Sequence, residues 1–229
     1  MAHAAAIHSA HDDSHGGHPP TSTGLDNKKI AIWAFIGSEC MLFASLISTY
    51  LIYKGRSRVG PFPHETWVDP TSGHHFHAIL NIPVTSASTF TLLMSSLFMV
   101  LALAAVQHKG SYPTRTWWQR RLASSKLWLW ATAIAGTTFL GFQAFEFTSF
   151  VHEGLSIRTN LFGSSFFTLT GFHGAHVTAG VIWLLTLLSI DYKRGLGPKD
   201  ELIVDIAALY WHFVDVVWIA IFTLVYLIK

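Results

Sequence analysis

Five long apolar runs, set apart by polar, proline-bearing or charged stretches, make up most of the chain and lie at about residues 30–53, 80–107, 127–150, 161–190 and 202–228. Each approaches or exceeds the roughly 20 apolar residues that a helix needs to cross about 30 Å of hydrocarbon. The pattern therefore predicts an all-α integral membrane bundle of five transmembrane helices. Nearly all the rest is connecting loop. Residues 54–79 hold Pro61, Pro63 and Pro70 with the cluster His74, His75 and His77, which reads as an exposed polar loop. That stretch runs into Asn81, Ile82 and Pro83, a helix start with proline in the first turn.

Residues 1–27 are rich in His, Ala, Gly, Ser and Thr and lack the apolar content to pack. They are expected to form a disordered His-rich tail ahead of a transmembrane domain at 28–229. His3, His8, His11, His15 and His18 could chelate a transition metal, but a tract without regular spacing fits a solvated arm better. The first 28 residues show no charged segment followed by an apolar one, so no cleavable signal peptide is expected and the first span acts as its own insertion signal.

With 51% hydrophobic and only 12% charged residues, the composition excludes an ordinary soluble domain. Cys40, the single cysteine, lies inside the first run, which excludes an internal disulfide and any cysteine-based metal or redox centre. Basic residues orient the bundle. With the N-terminus in the cytoplasm, the inner side holds Lys28, Lys29, Lys109, Arg115, Arg120, Arg121, Lys126, Lys193, Arg194 and Lys199. The outer side holds Lys54, Arg56, Arg58, Arg158 and Lys229, and ten against five favours N-terminus in, C-terminus out. Trp117, Trp118, Trp128 and Trp130 bracket the inner end of the third run, at the headgroup level that such rings prefer. The basic, aromatic loop around them is a membrane-interface signature, and no nucleic-acid partner is implied.

Six ionisable groups lie well within the runs: Glu39, Glu146, His173, His176, His212 and Asp215. An ionisable side chain at the bilayer centre costs roughly 2.5–3.5 kcal/mol on insertion scales, so each needs a partner. His173 and His176 sit about one turn apart on one helix face, as do His212 and Asp215. Glu39 and Asp215 fall at comparable depth, and Glu146 lies nearer the outside. Inter-helix hydrogen bonding is the structural reading; a proton relay or sensor is the functional one. A haem between His173 and His212 is conceivable, but the two histidines of 173–176 share one helix and cannot bracket a haem from both faces. In the fourth run Gly171, Ala175 and Ala179 form a small-residue stripe along which a neighbouring helix is expected to approach closely.

Two motifs, GSSFFTLTGFHGAHVTAG at 163–180 and YWHFVDVVW at 210–218, closely resemble subunit III of haem-copper terminal oxidases, cytochrome c oxidase above all. The resemblance continues through IGSECMLF at 36–43, LNIPVTSAS at 80–88 and GFQAFEF at 141–147, and covers roughly residues 31–227. It places Glu39 on the family's membrane-embedded carboxylate. Longer members have seven spans, and this chain resembles the five-span form lacking the first two. In the seven-span members phospholipid fills the cleft beside those two helices, which leaves that site open to question here, although Lys193 and Arg194 could meet lipid headgroups.

The resemblance implies a subunit without haem or copper of its own, beside the haem- and copper-bearing catalytic subunit I and subunit II of the same complex. It implies a bacterial plasma membrane location and support for turnover and for proton uptake from the cytoplasmic side. The residues agree: two haems and a copper would require six histidine ligands in the membrane core, where this chain has three. The expected complex carries electrons from cytochrome c to oxygen and moves protons outward. A quinol oxidase would need the same subunit. From other classes, a stand-alone transporter would predict repeats and interrupted helices, which the sequence lacks, and a membrane cytochrome would predict haem on this chain.

Overall fold

The computed structural model describes residues 26–57, 60, 65–68, 73, 75–76, 82–109, 116–117 and 123–228. Five long helices follow one another along the described chain: α1 (Asn27–Tyr53), α2 (Ile82–Gln107), α3 (Ser125–His152), α4 (Leu161–Lys193) and α5 (Glu201–Phe222). A 3-10 turn, Pro198–Asp200, leads into α5, and a π turn, Thr223–Leu227, extends it. Asp26 caps α1 by accepting the Lys28 amide at 2.8 Å, and Asn160 caps α4 by accepting that of Gly163 at 2.7 Å. Strands β1 (Trp67–Val68) and β2 (His75–Phe76) pair antiparallel before α2, Trp67 opposite Phe76. Strands of two residues carry no alternation to recognise, which is why the sequence reads as plain loop there.

The helices α1, α2, α4 and α5 with its flanking turns are each long and apolar enough to cross a membrane. The 28 residues of α3 are long enough too, but Gln143, Glu146, two tryptophans and four threonines dilute its apolar content. It nevertheless packs between α2 and α4, while α5 packs on α2 and α4 and α1 leans on α4 and α5. Residues 1–25, with the five tail histidines, lie outside the described residues, as do His74, His77, Asn81, Arg58, Arg115, Trp118, Arg120, Arg121 and Lys229.

Successive helices run in opposite directions, and side-chain bonds tie both ends. At one end Lys29 pairs with Asp205 at 2.7 Å, Gln107 donates to Glu201 at 2.8 Å and Ser125 donates to the buried Asp191 at 2.6 Å. Asp191 also accepts the Leu196 amide at 2.8 Å, and Arg194 pairs with Asp200 at 2.7 Å. At the other end Lys54 donates to the Ile228 carbonyl at 2.6 Å.

The core is organised by two tryptophans of α5. Trp211 donates its indole N–H to Ser95 of α2 at 2.8 Å, and Trp218, seven residues on, donates to Thr89 at 2.9 Å. Both rings are almost wholly buried. Room for Trp211 comes from missing side chains. A Cβ built on Gly136 of α3 would lie 2.6 Å from the ring, and one on Gly180 of α4 would lie 2.8 Å from it. The ring thus touches α2, α3 and α4 at once.

This arrangement corrects the expected small-residue stripe. A Cβ on Gly171 would meet nothing within 4 Å, and Ala175 and Ala179 are exposed. Close approach instead uses Gly174, where a Cβ would lie 2.7 Å from the Gln143 amide, and Gly180. Gln143 turns its N–H onto the Thr170 carbonyl at 2.7 Å, so the contact is polar as well as close. Of the interfacial tryptophans, Trp117 and Trp130 are exposed, whereas Trp128 is half-buried and stacks on Phe98 at 5.9 Å.

Gly180→Val should destabilise the bundle by roughly 1–3 kcal/mol through overpacking against Trp211. Gly171→Val, in open space, should leave stability nearly unchanged; thermal melts in detergent followed by circular dichroism would separate the two.

Candidate functional site

The six ionisable groups do not form one continuous chain of hydrogen bonds among the described residues. They fall into three separate clusters and one isolated ring. The first joins α1 to α4: Glu39 Oε2 lies 3.1 Å from His176 Nε2, and both side chains are largely buried. His176 Nδ1 donates to the Phe172 carbonyl at 2.7 Å, which fixes one proton there. Nε2 is thereby turned to Glu39, and the contact ties α1 to α4. Phe43 packs edge-on to the His176 ring at 4.9 Å.

The second cluster joins α2 to α5. Ser96 Oγ lies 2.9 Å from His212 Nδ1 and donates to Asp215 Oδ2, so one hydroxyl bridges the i, i+3 pair. Asp215 is buried, and its Oδ1 has no partner among the described residues. Lys29 meets Asp205, and Glu39 and Asp215 each lie ten residues further along the parallel helices α1 and α5, at similar height. The third cluster lies toward the opposite end of the bundle from the Lys29–Asp205 pair. There Thr85 of α2 donates to Glu146 Oε1, and Tyr226 donates to Oε2 at 3.4 Å, all three being buried.

His173 is the isolated ring. It is wholly buried, stacked on Trp218 at 4.8 Å, with Phe139 edge-on at 5.7 Å, and neither ring nitrogen has a partner among the described residues. Although one turn from His176, it faces the core while His176 faces α1. No three His, Cys, Asp or Glu side chains gather as a metal-holding group among the described residues. At the bundle end Lys193 is exposed, while Arg194 is already paired with Asp200.

Sequence reasoning missed the partners: Thr85, Thr89, Ser95 and Ser96 of α2, Gln143 of α3, and Tyr226. A signal existed for α2. Its hydroxyls at 85, 88, 89, 95 and 96 recur at helical spacing, and all but the half-buried Ser96 are buried.

A helical bundle with carboxylates partnered across helices has many possible uses, and comparison with known proteins narrows them. The family model described as cytochrome c oxidase subunit III matches residues 9–229. The chain belongs to this family. The cytochrome c oxidase subunit 3 of Bacillus sp. (strain PS3) is 39% identical over 88% of this chain and 86% of its own length. A quinol oxidase subunit 3 of Bacillus spizizenii is 36% identical over 86% and 85%. The cytochrome bo(3) ubiquinol oxidase subunit 3 of Pseudomonas aeruginosa is 33% identical over 95% and 92%. As a subunit III, the chain is part of a multi-subunit terminal oxidase, an oxidoreductase complex, in a bacterial membrane. The match begins at residue 9, inside the His-rich N-terminal segment.

Because Glu39 and His176 satisfy each other, removing either alone strands the other. Glu39→Leu or His176→Leu singly should each cost roughly 1–2 kcal/mol. The double variant should cost clearly less than the sum of the two; a double-mutant cycle of melting in detergent measures that coupling.

Proposed function

We propose that this chain is the haem-free and copper-free third subunit of an oxygen-reducing, proton-moving oxidase of the bacterial cytoplasmic membrane, lying against catalytic subunit I and subunit II. The observation that carries the reading is the match to subunit III over nearly the whole chain. All five helices span in this reading, with the N-terminus inside and the C-terminus outside, as the asymmetry of Lys and Arg favours. The alternating helix directions are compatible with it, since the ends of α2 and α4 meet the starts of α3 and α5.

Cytochrome c is the proposed donor to the complex. The relative at 39% identity is named for cytochrome c oxidase, and those at 36% and 33% for quinol oxidases. The relatives named for quinol oxidases favour a second reading, in which the same subunit serves a quinol oxidase. Whether the purified complex consumes reduced cytochrome c or quinol decides between them.

The clusters around Glu39, Glu146, His176, His212 and Asp215, with the buried ring of His173, hold helix register in this proposal. Glu39 with His176 is placed to exchange a proton at mid-depth. Haem and copper belong to the partner subunits. Phospholipid headgroups would meet the exposed Lys193, with Arg194 contributing only if it leaves Asp200.

The founding test is native separation of detergent-solubilised membranes, with haem and copper measured in the band that contains this chain and on the isolated subunit. Co-migration with a haem- and copper-containing oxidase, and a metal-free isolated chain, is the expected outcome; migration alone would sink the reading. Within that complex, Glu39→Ala should leave haem content intact while shortening sustained turnover or loosening subunit retention. Unchanged assembly and turnover would remove any special role for Glu39.

A further inference from the structure

The cluster of Ser96, His212 and Asp215 lies at the middle of α2 and α5, the depth at which lipid offers no hydrogen-bonding group. Asp215 is buried, but His212 and Ser96 are only half-buried, so the cluster opens on the outer surface of the bundle between these two helices. Nδ1 of His212 is taken by Ser96, and Nε2 has no partner in the described chain. Nε2 is thus a polar ring atom of the cluster without a partner among the described residues, on its half-buried, outward side.

A polar ring nitrogen facing outward at mid-membrane calls for cover by a polar group of protein rather than by acyl chains. The surrounding surface is otherwise apolar, with Leu93 and Val100 on α2 and Val216 and Ile219 on α5 all exposed on the side of His212. We propose that the α2–α5 face is where a transmembrane helix of another oxidase subunit docks, a polar side chain on it, a hydroxyl or an amide, completing a hydrogen bond with His212 Nε2. The inference rests on the oxidase reading above and adds to it the face used and the chemistry of the contact.

Photo-crosslinking in the assembled oxidase tests it. A photoreactive residue at Val216, which is exposed and outside the hydrogen-bonded cluster, should give an adduct with another oxidase subunit, while one at the exposed Phe145 on α3 reports a different face of the bundle. His212→Leu should lower retention of this chain in the complex during detergent washing by roughly three- to ten-fold. His212→Gln, whose amide can both donate and accept, should restore most of it. Adducts at Val216 with lipid alone or with a second copy of this chain would overturn the proposal, as would full retention of His212→Leu. Absence of the wild-type chain from any haem-containing complex would instead overturn the oxidase reading itself.

Discussion

The bundle depends on the indole of Trp211. In hydrocarbon no water satisfies an N–H group, and apolar surface alone gives helices little preference for one another over lipid. Trp211 answers both constraints at one place. Its N–H bonds to Ser95, and its ring occupies space left by Gly136 and Gly180, so one side chain of α5 registers α2, α3 and α4 together. Trp218 repeats the N–H contact two turns later on Thr89, and its ring forms the floor on which His173 lies. By contrast α1 buries only Ile32, Phe43 and Tyr50, and its most specific tie to the bundle is the bond from Glu39 to His176. A carboxylate within an apolar span thus fixes the least packed helix.

The three clusters share a design that follows from the medium. Each carboxylate is met by a hydroxyl or imidazole from a different helix, so its desolvation is offset by a contact that also sets register. None is extended by a second cluster among the described residues. Separate units pin separate helix pairs: α1 with α4, α2 with α5, and α2 with α3.

The helices were legible because length and apolarity alone define them, and the π turn with α5 accounts for the end of the last run. Which side of each helix faces protein was not. In a membrane the lipid-facing and protein-facing surfaces are both apolar, so periodicity has no polar face to anchor it. Gly171 with Ala175 and Ala179 therefore looks as plausible a contact stripe as Gly174 with Gly180, and only the positions of Gln143 and Trp211 distinguish them. The carboxylates and histidines stood out against their apolar surroundings. Their partners did not, because a serine or threonine within a helix ordinarily bonds its own backbone, as Thr137 and Thr186 do here. Ser96 and Thr85 become legible only when α5 and α3 lie alongside.

The placement of both tryptophan donors on α5 also has a meaning in time. During synthesis α5 follows the first four helices out of the ribosome, so Ser95, Thr89 and the glycine seats on α3 and α4 are made before the side chains that fill them. The first four helices can already pair through Glu39 with His176 and Thr85 with Glu146, but the seats around Trp211 stay unfilled until α5 arrives. A polypeptide that stops between the end of α4 and Trp211 has four helices but lacks the indole that registers α2, α3 and α4 together.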